Sequence, residues 1–415
     1  MKTITDSEQP DFWLISDPHL IADDLHDFGA RFEEMRQTSA GKDIAYQDLA
    51  LRAFVRKVVR AKPAALIITG DLTFNGAKRS AERLGEIFAP LKKAGIALLP
   101  IPGNHDIYDG WARSFSGSEE RRVEQISPAD WKEIFSASYD LAASQEPGSL
   151  SYSVNLNRHW RLLLLDSNLY SSQFSYTHPM TSGAIDDGER RWLSQELDEA
   201  KRMGQDVLFF MHHNLYSHNS VVHDGFKLNN AGEIVQLLSQ YPVRCAFSGH
   251  IHAQHIMSGW VPVPEVVSSC FAESDQGYGM VELTDNSLSY QRQSFDIDNF
   301  LTAEEKACAP FNNFHTYLKE VFDQSNDLLL RQHFLKGAAA DLPEAAEMLK
   351  KMHWDFFTGQ SYKSEEEVAE IYRSSAYRTL LVAMPSMKSY ISSLYESTQS
   401  SQRLDLSWRK ADRYF

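Results

Sequence analysis

Seven side chains suited to metal binding follow apolar runs in this sequence. Asp17 and His19 follow residues 12–16, and Asp71 follows 64–69. Asn104 follows 96–101, His212 follows 206–211, and His250 and His252 follow 243–247. Carboxylate, imidazole and amide donors together suit Mn, Fe or Zn better than Ca or Mg. Asp17-x-His19 and His250-x-His252 each place two donors on one side of an extended segment. In α/β sheets, ligand sites gather beyond the carboxyl ends of the strands. Residues far apart in the sequence would therefore converge on one dinuclear site.

The stretch Pro102-Gly103-Asn104-His105-Asp106 adds acid chemistry to that set. Gly103 is expected to permit a turn that a residue with a Cβ would strain to make. His105 can carry a proton near neutral pH. Asp106 either orients His105 or completes the turn, and both roles make it a candidate beside His105. Every piece has an ordinary reading when taken alone. An Asp-x-His occurs by chance, Gly-Asp is a common turn, and His212-His213 fits one buried and one surface histidine. All five strand exits carrying such residues in this order argue for a site. For substrate contacts, Asn75 and His213 are the candidates, because both lie beside ligands in the sequence.

The elements that must position these residues are legible as periodicity. The five runs above read as buried strands. Residues 48–60, 79–94, 186–203 and 231–238 have helical spacing of apolar residues. Residues 20–47 and 107–127 read as loops near the mouth of the site. Residues 151–156 and 160–166 read as paired strands, and 263–271, 278–283 and 287–294 as closing antiparallel strands. This alternation predicts a layered α/β catalytic domain over 1–296. Residues 297–415 have helical patterning and no metal-type cluster, which predicts a smaller, mainly helical C-terminal domain. A free-standing structural role is expected for it, with dimerisation or covering the pocket as alternatives.

Composition narrows the function classes. The chain has 415 residues, 43% hydrophobic and 23% charged, with a formal net charge of −15. Such an acidic balance argues against a partner as long as a nucleic acid. It leaves a small anion possible, because bound metal ions reverse the local field. The 3 cysteines are unclustered and predict buried thiols in a reducing compartment. The polar start has no apolar leader core, and no run reaches the ~18 apolar residues of a membrane span. A cytoplasmic protein with no membrane partner is the expectation.

Asp17-x-His19, Gly70-Asp71, Gly103-Asn104-His105-Asp106, His212 and Gly249-His250-x-His252 together resemble the signature of the calcineurin-like metallophosphoesterases. The resemblance spans residues 12 to about 295. It implies a four-layer α/β/β/α double β-sandwich. It also implies two divalent or mixed-valence ions, Mn or Fe with Zn as an alternative. One ion would be held by Asp17, His19 and His252, the other by Asn104, His212 and His250, with Asp71 bridging. A hydroxide bridging the ions would attack phosphorus, and His105 would hold the phosphate and protonate the leaving group. His212 rather than His213 occupies the family's ligand position. Many relatives have Pro two residues after that ligand, where this chain has Asn214.

Departures from the pattern select within the family. Purple acid phosphatases carry a Tyr where this chain has Phe74. Protein Ser/Thr phosphatases carry a second Asp and an Arg that Gly70-Asp71-Leu72-Thr73-Phe74-Asn75-Gly76 lacks. Ser16-Asp17-Pro18-His19, Asn75-Gly76 and Asp106 look like class III cyclic nucleotide phosphodiesterases, one bacterial branch of which has a helical C-terminal extension. The resemblance implies hydrolysis of a cyclic nucleotide such as 3′,5′-cAMP, or of another small phosphodiester. A phosphomonoesterase, a nuclease and a catalytically silent metal-binding scaffold are the alternatives.

Overall fold

Two mixed sheets lie face to face between layers of helices. The computed structural model describes residues 1–333 and 342–409. Side-chain alternation along the strands explains the layering. In Asp206–Phe210, Leu208 and Phe210 belong to the core between the sheets, and Val207 and Phe209 to the core beneath the helices. Val243–Ser248 divides in the same way, with Cys245 and Phe247 on one face and Val243 and Ala246 on the other. Strands covered on both faces must be apolar nearly throughout, which is why these runs are easy to see. Between the sheets, Phe12 meets Phe210 and Phe247 edge-on, with ring centroids 5.8 and 5.9 Å apart.

The first sheet has six strands, in the order Arg403–Ser407, Ser287–Gln293, Tyr278–Leu283, Asp11–Ile15, Ala65–Thr69 and Ala97–Ile101. The last three run parallel. The second sheet has seven strands, in the order His255–Met257, Glu265–Val267, Val243–Ser248, Asp206–Phe210, Trp160–Leu164, Tyr152–Asn155 and Ser144–Gln145. Its central strands from Glu265–Val267 to Trp160–Leu164 are parallel. Parallel neighbours need crossover helices. Gln47–Ala61 and Lys78–Lys93 connect the parallel strands of the first sheet, and Asp187–Met203 and Ala231–Leu238 those of the second. Each parallel strand delivers its carboxyl end to one side, and the candidate ligands lie there.

Some loops carry more structure than their polarity suggests. The 20–47 excursion contains the helix Ala30–Thr38, which buries only Phe32. The 107–127 stretch contains a hairpin, Arg113–Ser116 with Glu119–Arg122.

The C-terminal region is helical from Ala303–Cys308 to Lys388–Ser393, but it does not stand free. Leu330, Leu349, Met352, Tyr377 and Leu380 share one buried cluster with Ile251, Ala253 and Val267 of the catalytic layers. The Gln254 N–H donates to the Phe357 carbonyl at 3.2 Å, and its side-chain amide donates to the Ser401 carbonyl at 3.0 Å. The chain then returns to the first sheet as the edge strand Arg403–Ser407, paired with Ser287–Gln293. This strand lies within the expected C-terminal domain, 297–415, yet pairs with the first sheet. Only Leu404 is fully buried in it, too little alternation to read from sequence. Residues 334–341 and 410–415 of the expected domain lie outside the described residues.

Candidate metal centre

The strand exits are bent in an unusual way. Asp17, His19, Asp71, His250 and His252 have φ of 53°, 45°, 48°, 70° and 62°. Left-handed backbone at a residue with a Cβ costs about 1–3 kcal/mol and persists where the surroundings over-determine it, often at functional sites. Here it turns successive polar side chains toward one point. The glycines allow the exits to close together. A Cβ on Gly70 would lie 2.2 Å from His212 Nδ1, and one on Gly103 would lie 2.1 Å from the Asp71 nitrogen. Gly103 does not have a positive φ, so it is needed for this close approach rather than for the turn expected of it.

Two groups of ligand atoms result, each within 4.8 Å: Asp17, His19, Asp71 and His252, and Asp71, His212 and His250. Asp71 belongs to both, with Oδ2 lying 3.9 Å from His19 Nε2 and 3.5 Å from His212 Nε2. Asn104 joins the second group, its Oδ1 3.2 Å from His212 Nε2. In the first, His252 Nε2 lies 3.4 Å from Asp17 Oδ1 and 3.2 Å from His19 Nε2.

These residues fit a cation. Asp17 Oδ1 is buried and accepts no hydrogen bond among the described residues, a costly condition for a carboxylate oxygen unless an ion meets it. The outer partners of the imidazoles fix which nitrogen is free. His212 Nδ1 donates to the Thr69 carbonyl at 2.8 Å, and His250 Nε2 donates to the Thr181 carbonyl at 2.9 Å. His252 Nδ1 faces Glu273 at 3.6 Å. Nε2 of His212, Nδ1 of His250 and Nε2 of His252 are left for an ion. Burial pushes His19 down and His250 to about 3, so both are neutral, with lone pairs to offer. Burial pushes His212 down too, but the Asp71 and Asp17 charges raise it to about 9. Cys270 lies near His19 and His252, but its thiol donates to the Asp17 carbonyl and burial raises its pKa, so it remains a thiol.

His105 stands beside this cluster and outside it. Its Nδ1 pairs with Asp109 at 3.2 Å, while Nε2 has no hydrogen-bond partner among the described residues and the side chain is 24% exposed. Burial pulls its pKa down, but Asp71 and Asp109 raise it above the ordinary histidine value. Asp106 requires a correction. Its carboxylate does not touch the His105 ring. It accepts from the Gly103, Leu72 and Thr73 amides at 2.8, 3.1 and 2.8 Å and from the Thr73 hydroxyl at 2.8 Å. It clamps two ligand turns together and is a positioning residue. Asp109 is the residue that orients His105. Its only signal in the sequence is its place four residues after the histidine.

The two substrate-contact candidates face inward. His213 is buried, with Nδ1 at 2.8 Å from the Ser167 hydroxyl and Nε2 donating to the Thr181 carbonyl at 3.0 Å. Both nitrogens are engaged, so none is left for a substrate. Asn75 is buried with its amide at 3.4 Å from the Arg113 carbonyl; its Oδ1 has no partner among the described residues. Sequence reasoning also missed Glu265. This buried carboxylate accepts from Leu215 and Tyr216 amides at 2.9 and 3.2 Å and from the Ser248 hydroxyl at 2.7 Å. It ties the turn after His212 to the strand end before His250.

Asp109→Asn should lower kcat by about tenfold or more, the low end of what a positioned acid contributes, with metal content unchanged. With the protonated His105 acting as an acid, activity would fall as pH rises through its pKa. Removing the Asp109 charge removes one cause that raises this pKa. The basic limb of the kcat profile should therefore move to lower pH, which a pH–rate series would show.

Known proteins match both parts of the chain. Residues 10–254 match the family model described as calcineurin-like phosphoesterase. Residues 296–401 match that of the C-terminal domain of cyclic nucleotide phosphodiesterase. A probable cyclic nucleotide phosphodiesterase of Ruthia magnifica is 27% identical over 203 residues, 49% of this chain and 68% of the relative. The 3′,5′-cyclic adenosine monophosphate phosphodiesterase CpdA of Haemophilus influenzae is 25% identical over 196 residues, 47% of this chain and 56% of the relative. Among solved structures, a dimetal phosphatase from Danio rerio superposes with a TM-score of 0.50 at 14% identity, covering 69% of this chain and 96% of that one. The chain belongs to the calcineurin-like phosphoesterases, a family that uses divalent metal ions, and carries the C-terminal domain of its cyclic nucleotide phosphodiesterases.

Proposed function

We propose that this chain is a dinuclear metal-dependent phosphodiesterase acting on a 3′,5′-cyclic nucleotide such as cAMP, or on another small phosphodiester. The observation that carries the reading is the free Nε2 of His105, held beside two adjoining ligand clusters by Asp109. The substrate part is supported by the C-terminal domain match and by the names of the relatives. Asp17, His19 and His252 would hold one ion, and Asn104, His212 and His250 the other, with Asp71 shared. Mn or Fe is the preferred metal on the mixed donor set.

Bound ions would supply the positive charge that draws in a phosphate and the Lewis acidity that readies a water for attack. The chain supplies the rest. The Thr69, Thr181 and Glu273 oxygens orient the three imidazoles. His105 keeps Nδ1 on Asp109 and directs Nε2–H to the leaving oxygen. As water adds to phosphorus, releasing one proton to solvent, and the bond to that oxygen breaks, the proton on Nε2 passes to the leaving group, and His105 regains a proton from solvent. For a 3′,5′-cyclic nucleotide, breaking the bond to O3′ yields the 5′-monophosphate.

Protein reconstituted with Mn²⁺ should hydrolyse cAMP and bis-p-nitrophenyl phosphate, and p-nitrophenyl phosphate more slowly. A preference for p-nitrophenyl phosphate would make it a monoesterase. Two bound ions with no turnover of any of the three would make it a scaffold.

A further inference from the structure

Trp111 presents an exposed aromatic face beside the acid. The residue is 44% exposed, unusual for a side chain that buries so much apolar area when it packs. Its ring lies 6.4 Å from the His105 ring, tilted by only 28°, and it meets His178 edge-on at 4.4 Å. One carboxylate holds both the acid and the backbone that carries the indole. Asp109 Oδ2 pairs with His105 Nδ1 at 3.2 Å, and Asp109 Oδ1 accepts from the Trp111 amide at 2.7 Å. Asp109 itself is fully buried.

The surroundings place Trp111 in the wall of the site. A Cβ on neighbouring Gly110 would lie 2.2 Å from the Thr177 carbonyl, so the turn closes tightly on the segment around His178. Four residues on, the Thr181 carbonyl accepts from His250. The segment against which Trp111 packs is thus tied to a candidate metal ligand. The acid must stand next to the leaving oxygen. Whatever is attached to that oxygen therefore lies on the His105 side of the phosphate, where the indole is.

We propose that Trp111 is a specificity-determining residue that stacks the base of a nucleotide whose phosphate sits at the metal centre. The proposal rests on the phosphodiesterase reading and names the substrate class within it. Aromatic side chains accept any base face, so the platform selects nucleotides over aliphatic phosphates without choosing strongly among bases.

Calorimetric titration of the Mn²⁺-loaded protein with 5′-AMP and ribose 5-phosphate tests this without turnover. The two ligands share the phosphate and sugar and differ by the base. The wild type should bind 5′-AMP about tenfold or more tightly than ribose 5-phosphate, within the range that base stacking supplies. Trp111→Ala should bring the two affinities together by weakening 5′-AMP alone, and Trp111→Phe should keep most of the preference. A wild-type ratio near one would overturn the proposal, as would a ratio unchanged in Trp111→Ala. Equal weakening of both ligands would mark a structural role for the indole and overturn it too. Failure of the phosphodiesterase reading shows separately, as absence of diester hydrolysis.

Discussion

Asp71→Ala is expected to empty both halves of the metal centre. Asp71 is common to the group of Asp17, His19 and His252 and the group of His212 and His250. Its Oδ2 faces His19 and His212, and its Oδ1 accepts the His105 amide at 2.8 Å. The substitution therefore removes a ligand from each ion and releases the turn that carries Asn104. Loss of an outer partner of a metal site typically costs about 10–100-fold in affinity or activity, and loss of a shared ligand should cost more. Metal analysis after gel filtration should find neither ion, and diester hydrolysis should fall below detection. The sheets should persist, because Asp71 stands beyond the end of the strand Ala65–Thr69 and outside the apolar clusters. Retention of one ion at full occupancy would show that Asp71 does not bridge.

His105→Ala should have the opposite signature. The ring touches Asp109 and no candidate ligand oxygen, so both ions should remain. Turnover of cAMP should fall by about 10²–10⁴-fold, the usual worth of a positioned acid. Bis-p-nitrophenyl phosphate should lose much less, because nitrophenolate leaves without a proton. The ratio of the two losses is the measurement. A variant that lost its metals, or lost both activities equally, would remove His105 from the role of acid.

The candidate cluster was legible because metal chemistry restricts residue type, and strands covered on both faces leave apolar runs that end abruptly near such residues. His212 and His250 follow such runs directly, and the structure brings them to Asp71. Supporting residues were harder to find. Asp109 acts from an irregular loop, where spacing has no period to reveal it. Glu265 approaches from another strand, and nothing near it in sequence marks the two turns it joins. Asp106 was left open between two roles for a physical reason. An acid next to a histidine looks like its partner, yet in this turn its carboxylate meets backbone amides. Left-handed φ at five candidate ligand positions also left no trace, because Asp and His, though enriched there among residues with a Cβ, adopt other conformations far more often.

Ile251 lies between His250 and His252 and is buried with the C-terminal helices. This has a consequence for how the protein matures. Synthesis proceeds from the N-terminus, and early segments begin to fold before late ones exist. A nascent chain extended to His252 already contains all seven candidate ligands. It still lacks the helices that seat Ile251, and the edge strand Arg403–Ser407. The histidines themselves are tied to earlier segments, His250 through Asp17 and the Thr181 carbonyl, but Ile251 lacks its apolar partners until the late segments arrive. The late segments thus complete the packing around Ile251, the residue between the two candidate histidines.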